Sequence, residues 1–203
     1  HNPVGAIEHM KVVFDTAKAM GAEAVSGVTY GGIGECSGMP PTEAELSSVA
    51  RSLETCAAYA KSLGLLFGIE PVNRYETHLI NTGWQARDMI ERIGSDNIFI
   101  HLDTYHMNIE EKNQAKAIKK AGKLLGHFHA CGSDRGTPGN DHIDWKPIVA
   151  ALKSIRYKGD VVIESFTTDV KVIAKAAAIW RRMEPTRDEI AVKGLKFLKK
   201  NIK

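Results

Sequence analysis

Short apolar runs alternate with amphipathic stretches along the whole chain. Apolar residues recur at helical spacing at Ile7, Met10 and Phe14, and this pattern ends at Gly21. The next run, over 23–30, has the length and apolar character of a buried strand. Four further runs predict strands, over 65–70, 97–103, 124–130 and 160–164.

Helical patterns fill the intervals between the predicted strands, and capping residues mark several of their starts. Thr42 with Glu45, and Thr186 with Glu189, have the spacing of a capping box, in which each residue satisfies a backbone N–H of the other. Thr82 is the predicted cap of the helix between them. The predicted helices after the first cover 41–63, 82–93, 115–123, 145–155, 169–182 and 187–201.

This strict alternation of strand and helix predicts an α/β fold with a parallel sheet and right-handed crossovers. Two folds share the order, an open doubly wound sheet and a (β/α)8 TIM barrel. A complete barrel has eight strands in typically about 250 residues, whereas this chain has 203 residues and five predicted strands. No linker divides it, so residues 1–203 are expected to form a single domain, either open or a barrel that lacks about three units.

Four of the five predicted strands end in a side chain that can bind a metal. These side chains are Glu70, Asp103, His129 and Glu164. In a parallel barrel the carboxyl ends of the strands face the active-site mouth, so these residues are candidates for chemistry. An ion pair with Arg74 is the structural alternative for Glu70.

Three carboxylates and one imidazole form a ligand set that suits Mn²⁺, Mg²⁺ or Co²⁺. Each group would be costly to bury without a partner, and a shared cation removes that cost. Because side chains alternate along a strand, His101 lies on the face of Asp103 and His127 on the face of His129. For His101 and His127, a satisfied core histidine is the ordinary interpretation.

Composition argues against several classes of function. The 27 basic and 24 acidic residues give a formal charge of +3, which is too small and too dispersed to indicate a nucleic-acid partner. Three cysteines, Cys36, Cys56 and Cys131, show no CxxC spacing, so no disulfide framework is predicted. No signal peptide and no apolar run of membrane-spanning length appear, and a cytoplasmic protein without a membrane partner is expected.

Longer motifs resemble one enzyme family. They are Gly-Ile-Glu-Pro-Val-Asn-Arg-Tyr-Glu at 68–76, Leu-Asp-Thr-Tyr-His-Met-Asn-Ile-Glu-Glu at 102–111, His-Phe-His at 127–129 with Asp-Arg-Gly-Thr-Pro-Gly at 134–139, and Ile-Glu-Ser-Phe at 163–166. The chain resembles the ketose 3-epimerases, which include D-tagatose and D-psicose 3-epimerases, within the xylose isomerase-like TIM barrels. The resemblance implies a (β/α)8 barrel of which this chain holds the last five units, with the N-terminal units missing.

The resemblance also implies an activity and a set of site residues. The activity is metal-dependent epimerisation of a free ketose at C3 through a cis-enediolate. The expected ion is Mn²⁺. The expected assembly is a homo-oligomer, either a dimer or a tetramer. The implied metal ligands are Glu70, Asp103, His129 and Glu164, of which Glu70 and Glu164 would also transfer the proton. The implied substrate contacts are Glu76, His106 and Arg135.

Three alternatives stay open. An aldose–ketose isomerase on the same scaffold would use a similar site but move a proton between C1 and C2. A metal-dependent phosphodiesterase of the endonuclease type would need a multi-zinc cluster and a basic groove. An inactive, truncated fragment that binds sugar or assembles is the third, and the missing N-terminal units favour it.

Overall fold

A computed structural model describes residues 3–202 and confirms the predicted alternation of parallel strands and helices. The strands are β1 (Ala24–Gly27), β2 (Leu66–Ile69), β3 (Ile98–Asp103), β4 (Leu125–His129) and β5 (Val161–Val162). The helices are α1 (Pro3–Ala19), α2 (Glu43–Ser62), α3 (Gly83–Ile93), α4 (Thr104–Glu110), α5 (Gln114–Ala121), α6 (Trp145–Ser154), α7 (Lys171–Ala176) and α8 (Arg187–Asn201). Within this part of the chain, every helix is too short or too polar to cross a membrane.

The order of the strands decides between the two predicted folds. All five strands lie in one parallel sheet in the order β1-β2-β3-β4-β5. A doubly wound sheet reverses its strand order at a switch point, and this sheet has no such reversal. The sheet therefore has the topology of consecutive (β/α) units of a barrel, and the doubly wound alternative is wrong.

The predicted helix starts match the structure closely. Thr42 donates its backbone N–H to Glu45 Oε2 at 2.7 Å, and Glu45 returns a backbone N–H to Thr42 Oγ1 at 3.2 Å, so the capping box is complete. Thr82 forms a second complete box, with Gln85. Thr186 accepts the backbone N–H of Glu189 at 3.2 Å, which is one of the two bonds of the predicted box.

Several boundaries differ from the sequence-based expectation. The predicted helix over 169–182 contracts to Lys171–Ala176, and the predicted strand over 160–164 contracts to Val161–Val162. The short helix α4 was not predicted. It starts directly at the end of β3, where Asp103 Oδ1 accepts the backbone N–H of Tyr105 at 2.7 Å and caps it. Its seven residues are too few to show a helical period.

A β-bulge in β4 sets which side chains face the inner side of the sheet. Ile100 pairs with Leu125 and His101 pairs with His127, so Gly126 is an extra residue between two paired positions. A Cβ at Gly126 would lie 2.5 Å from the ring of Phe99 on β3. Glycine is therefore required at the bulge, and the bulge orients the residues after it.

The two sides of the sheet have different chemistry, as the alternation predicted. Leu102 pairs with Phe128, and both are buried in the core between the sheet and the helices. The neighbouring pairs, His101 with His127 and Asp103 with His129, lie on the opposite, inner side of the strands. Polar groups therefore line the inner side of β3 and β4, up to the carboxyl ends of these strands.

Candidate metal centre and active site

The four predicted metal ligands meet at the carboxyl ends of the strands. Glu70 follows β2, Asp103 ends β3, His129 ends β4, and Glu164 lies two residues beyond β5. One ligand atom from each residue lies within 4.8 Å of those of the other three. We call these residues the four-ligand group. The parallel sheet thus brings together side chains from four separate units of the chain.

A histidine nitrogen at the centre of this group shows that its residues fit a cation. His129 Nδ1 lies 3.9 Å from Glu70 Oε1, 3.8 Å from Asp103 Oδ2 and 3.6 Å from Glu164 Oε2. The nitrogen is buried, and within the described residues it has no hydrogen-bond partner. Buried polar atoms are almost always satisfied, and a divalent ion would satisfy this nitrogen and the three carboxylates together. The donor set is that of a hard or borderline ion.

Arg135 supplies positive charge beside these carboxylates. Its Nη1 donates to Asp103 Oδ2 at 2.8 Å and also to Glu164 Oε2. Burial opposes the charged form of Arg135, but the Asp103 carboxylate holds the pKa of the guanidinium above its usual range. Arg135 therefore stays a cation although its side chain is buried.

The two candidate acid–base glutamates have different surroundings. Burial raises the pKa of Glu70 well above its usual range, and the carboxylates of Asp103 and Glu164 raise it further. Burial alone would raise the pKa of Glu164 as well, but His129 and Arg135 lower it below its usual range. Two carboxyls whose pKa values are pushed apart in this way are typical of acid–base sites.

Asn73 connects two of the three predicted substrate contacts. Its backbone N–H donates to His106 Nδ1 at 3.0 Å, and its side-chain Nδ2 donates to Glu76 Oε1 at 2.9 Å. Burial, followed by the charge of Arg135, lowers the pKa of His106 to about 3, so the ring is neutral. Because Nδ1 accepts a hydrogen bond, the ring proton of His106 lies on Nε2.

His106 Nε2 and Arg135 Nη2 lie 2.9 Å apart. A guanidinium has no acceptor and the ring proton of His106 lies on Nε2, so two N–H groups oppose each other at this distance. An oxygen of a bound molecule that accepts from both groups would relieve this opposition. Arg135 also lies 4.0 Å from the Tyr105 ring centroid and 5.1 Å from that of Phe166, which fixes the plane of the guanidinium.

Sequence reasoning missed Asn73, Tyr105 and Phe166 as parts of the site. All three lie inside the quoted motifs, within three residues of predicted site residues, and that position was the only available signal. The structural alternative for Glu70 is wrong, because Arg74 pairs with Glu110 instead, at 2.9 Å from Nε and 3.1 Å from Nη2.

A cavity of about 1360 Å³ lies over the site and the inner side of the sheet. Its wall includes most of the predicted site residues, namely Glu70, Glu76, His106, His129, Arg135 and Glu164. A monosaccharide fits such a volume, since pockets for small ligands are commonly a few hundred to about 1,000 Å³. Carboxylates, imidazoles and one guanidinium therefore surround a space large enough for a sugar.

Comparison with known proteins agrees with the fold. The family model described as xylose isomerase-like TIM barrel matches residues 4–201. The chain therefore belongs to the xylose isomerase-like TIM barrel family. Relatives of the chain include ketose 3-epimerases, which confirms the resemblance seen in the sequence.

Three of these relatives illustrate the similarity. An L-ribulose 3-epimerase of Methylomonas sp. is 36% identical over 194 residues, which are 95% of this chain and 68% of that protein. A D-psicose 3-epimerase of Enterocloster bolteae is 38% identical over 150 residues, which are 74% of this chain and 50% of that protein. A crystal structure of D-allulose 3-epimerase from Methylomonas sp. in complex with D-allulose has a TM-score of 0.92 and 33% identity, and covers 97% of this chain and 68% of that chain. The chain thus spans half to two thirds of these relatives.

Proposed function

We propose that this chain carries the metal and acid–base site of a ketose 3-epimerase, an enzyme that inverts C3 of a free ketose through a cis-enediolate. The observation that carries the proposal is the convergence of Glu70, Asp103, His129 and Glu164 within 4.8 Å, beside two hydrogen-bond donors. The curated relatives named for L-ribulose and D-psicose support a ketose as the small-molecule substrate.

In this proposal the four-ligand group holds a divalent ion. Mn²⁺ is the ion we expect, and Mg²⁺ and Co²⁺ suit the same donors. When bound, such an ion acts as a Lewis acid that stabilises negative charge on the sugar oxygens at C2 and C3. The proton transfers themselves fall to the side chains of the protein.

Glu70 and Glu164 are the proposed proton-transfer pair. Glu70 follows β2 and Glu164 follows β5, with β3 and β4 between them in the sheet. Glu70 and Glu164 are therefore the two outermost members of the four-ligand group along the sheet. Inversion needs this arrangement, because one carboxylate removes the C3 proton from one face and the other returns a proton to the opposite face.

Three further residues would bind and polarise the sugar. The Nε2–H of His106 and the guanidinium of Arg135 can both donate to the oxygen on C2, where charge develops in the enediolate. Glu76, oriented by Asn73, can accept a hydrogen bond from the O1 hydroxyl. The site then holds the ketose at O1 and O2, on the C1 side of the reacting C3–H bond.

The direct test is incubation of the chain with Mn²⁺ and either D-psicose or L-ribulose, followed by chromatography of the products. The expected products are the C3 epimers, D-fructose and L-xylulose. Glu70→Gln and Glu164→Gln should each lower turnover by at least about 100-fold, because each removes one proton-transfer group. Glu91→Gln, whose carboxylate pairs with Arg87 on the surface of α3, is the matched control and should be unchanged.

Two results would contradict the proposal. Full turnover by Glu70→Gln or Glu164→Gln would remove the acid–base assignment. Accumulation of an aldose, such as allose from D-psicose, would show that the proton moves between C1 and C2 and that the site belongs to an aldose–ketose isomerase.

A further inference from the structure

A second cluster of metal-competent side chains lies on the inner side of β3 and β4. His101, His127 and His129 each offer a nitrogen within 4.8 Å of those of the other two. We call them the three-histidine group. Their ring centroids are 4.6 Å apart for His101 and His127, 4.1 Å for His101 and His129, and 5.0 Å for His127 and His129. The β-bulge at Gly126 brings His127 opposite His101 on β3.

His101 is oriented as a metal-binding histidine is oriented. Its Nδ1 lies 3.0 Å from Ser26 Oγ on β1 and 3.6 Å from Glu70 Oε2. The residue is 2% exposed, and its other nitrogen, Nε2, is buried with no hydrogen-bond partner among residues 3–202. Ligating histidines typically hold one ring nitrogen on an oxygen and direct the other at the ion. An unpaired, buried Nε2 inside a cluster of imidazoles is therefore an indication of a ligand.

We propose that His101, His127 and His129 form a second metal site, made of imidazole alone, which selects Zn²⁺ or Cu²⁺ over Mn²⁺ and Mg²⁺. Imidazole nitrogen suits zinc and copper, whereas carboxylate oxygen suits magnesium and manganese. Three histidines with one open position are a known catalytic type of zinc site in proteins. The two groups on this sheet therefore differ in the ions that they prefer.

His129 belongs to both groups, and this has a consequence for ion binding. A neutral imidazole has one free nitrogen lone pair, and binding a second ion requires that the ring lose its remaining proton. The two sites therefore compete for His129. An ion in the three-histidine group excludes Mn²⁺ from the four-ligand group, so zinc antagonises manganese.

Calorimetric titration of the chain with ZnCl₂ and with MnCl₂ tests the proposal without any measurement of turnover. His127→Asn should weaken zinc binding by at least about tenfold and leave manganese binding within about twofold of the wild type, since only the three-histidine group loses a ligand. His9→Asn, on the exposed surface of α1, is the matched control and should change neither titration.

Pulsed electron paramagnetic resonance of the Cu²⁺-loaded chain provides a second readout, because it counts the imidazoles bound to copper. More than one imidazole is expected in the wild type, since the four-ligand group contains a single histidine. A single imidazole in the wild type, or zinc binding by His127→Asn equal to that of the wild type, would overturn the proposal. Should His127→Asn fail to fold, the copper spectrum of the wild type decides alone. Neither result bears on whether Glu70 and Glu164 epimerise a ketose.

Discussion

Single residues in the site act through fixed hydrogen bonds rather than through charge alone. Asn73 is 1% exposed, and its backbone and side chain hold His106 and Glu76 in place. Arg135 is also held in place. Its guanidinium donates to carboxylates and lies near the aromatic rings of Tyr105 and Phe166. The precision of the proposed sugar site therefore depends on residues that do not themselves transfer a proton.

Asn73→Leu tests this positioning role. The substitution removes the donor to Glu76 and keeps the backbone bond to His106, so we expect KM for the ketose to rise about tenfold while kcat changes less. The size corresponds to one hydrogen bond to a charged group. Steady-state kinetics give the two constants separately. Asn201→Leu at the end of α8 is the matched control, and an unchanged KM for Asn73→Leu would contradict the role.

At the scale of elements, the inner side of the sheet is shaped by an aromatic ring between two glycines. A Cβ at Gly126 would lie 2.5 Å from the Phe99 ring, and a Cβ at Gly68 on β2 would lie 2.6 Å from the same ring. Phe99 thus lies against both neighbouring strands. It is closer to the amino ends of the strands than the pair His101 and His127. The close approach of this ring explains the glycine at 126, and at Gly68 the Oγ of Ser26 on β1 adds a second close approach.

Gly126→Ala should destabilise the fold by about 1–3 kcal/mol, the usual cost of overpacking a filled site. Chemical denaturation measures the change in the free energy of unfolding. Adding Phe99→Leu to Gly126→Ala removes part of the ring and should recover some of the loss. If the double variant is destabilised by the sum of the two single changes, the contact with Phe99 is not the cause.

The helix caps offer a second prediction at this scale. Thr42→Ala breaks a complete capping box and should lower the free energy of unfolding by about 1 kcal/mol. Thr186→Ala removes only the bond from the Glu189 N–H, so its cost should be smaller. Thermal unfolding of the two variants side by side measures the difference, and an equal or larger cost for Thr186→Ala would contradict it.

At the scale of the whole molecule, the four-ligand group joins elements that are far apart in the chain. Its members follow four different strands, and each strand carries its own helix. A bound ion would connect these units at one edge of the sheet. The expected single domain over residues 1–203, the homo-oligomer and the cytoplasmic location stay predictions.

Metal binding should therefore stabilise the fold. Mn²⁺ at 100 times its dissociation constant is expected to add about 2.7 kcal/mol to the free energy of unfolding, because the ion binds only the folded chain. A thermal shift that appears with MnCl₂ and disappears with a chelator is the measurement. His129→Asn should abolish the shift, whereas His127→Asn should retain it. A shift of the same size in His129→Asn would place the manganese elsewhere.

Much of this architecture follows from local pattern. Hydrophobic periodicity and capping residues predict the order of strands and helices, because both depend on neighbours within a few positions. Because parallel strands run in the same direction, their carboxyl ends lie at one edge of the sheet. This predicts that Glu70, Asp103, His129 and Glu164 meet there. These features are visible in the sequence since each depends only on the direction and period of a strand.

Contacts between distant residues decided the rest. Asn73 and His106 are 33 positions apart, Arg74 and Glu110 are 36 apart, and neither pair has a local signal. The bulge at Gly126 depends on the ring of Phe99 from the neighbouring strand. A side chain finds such partners only after the strands have packed side by side, so only the tertiary structure could show which residues orient the site.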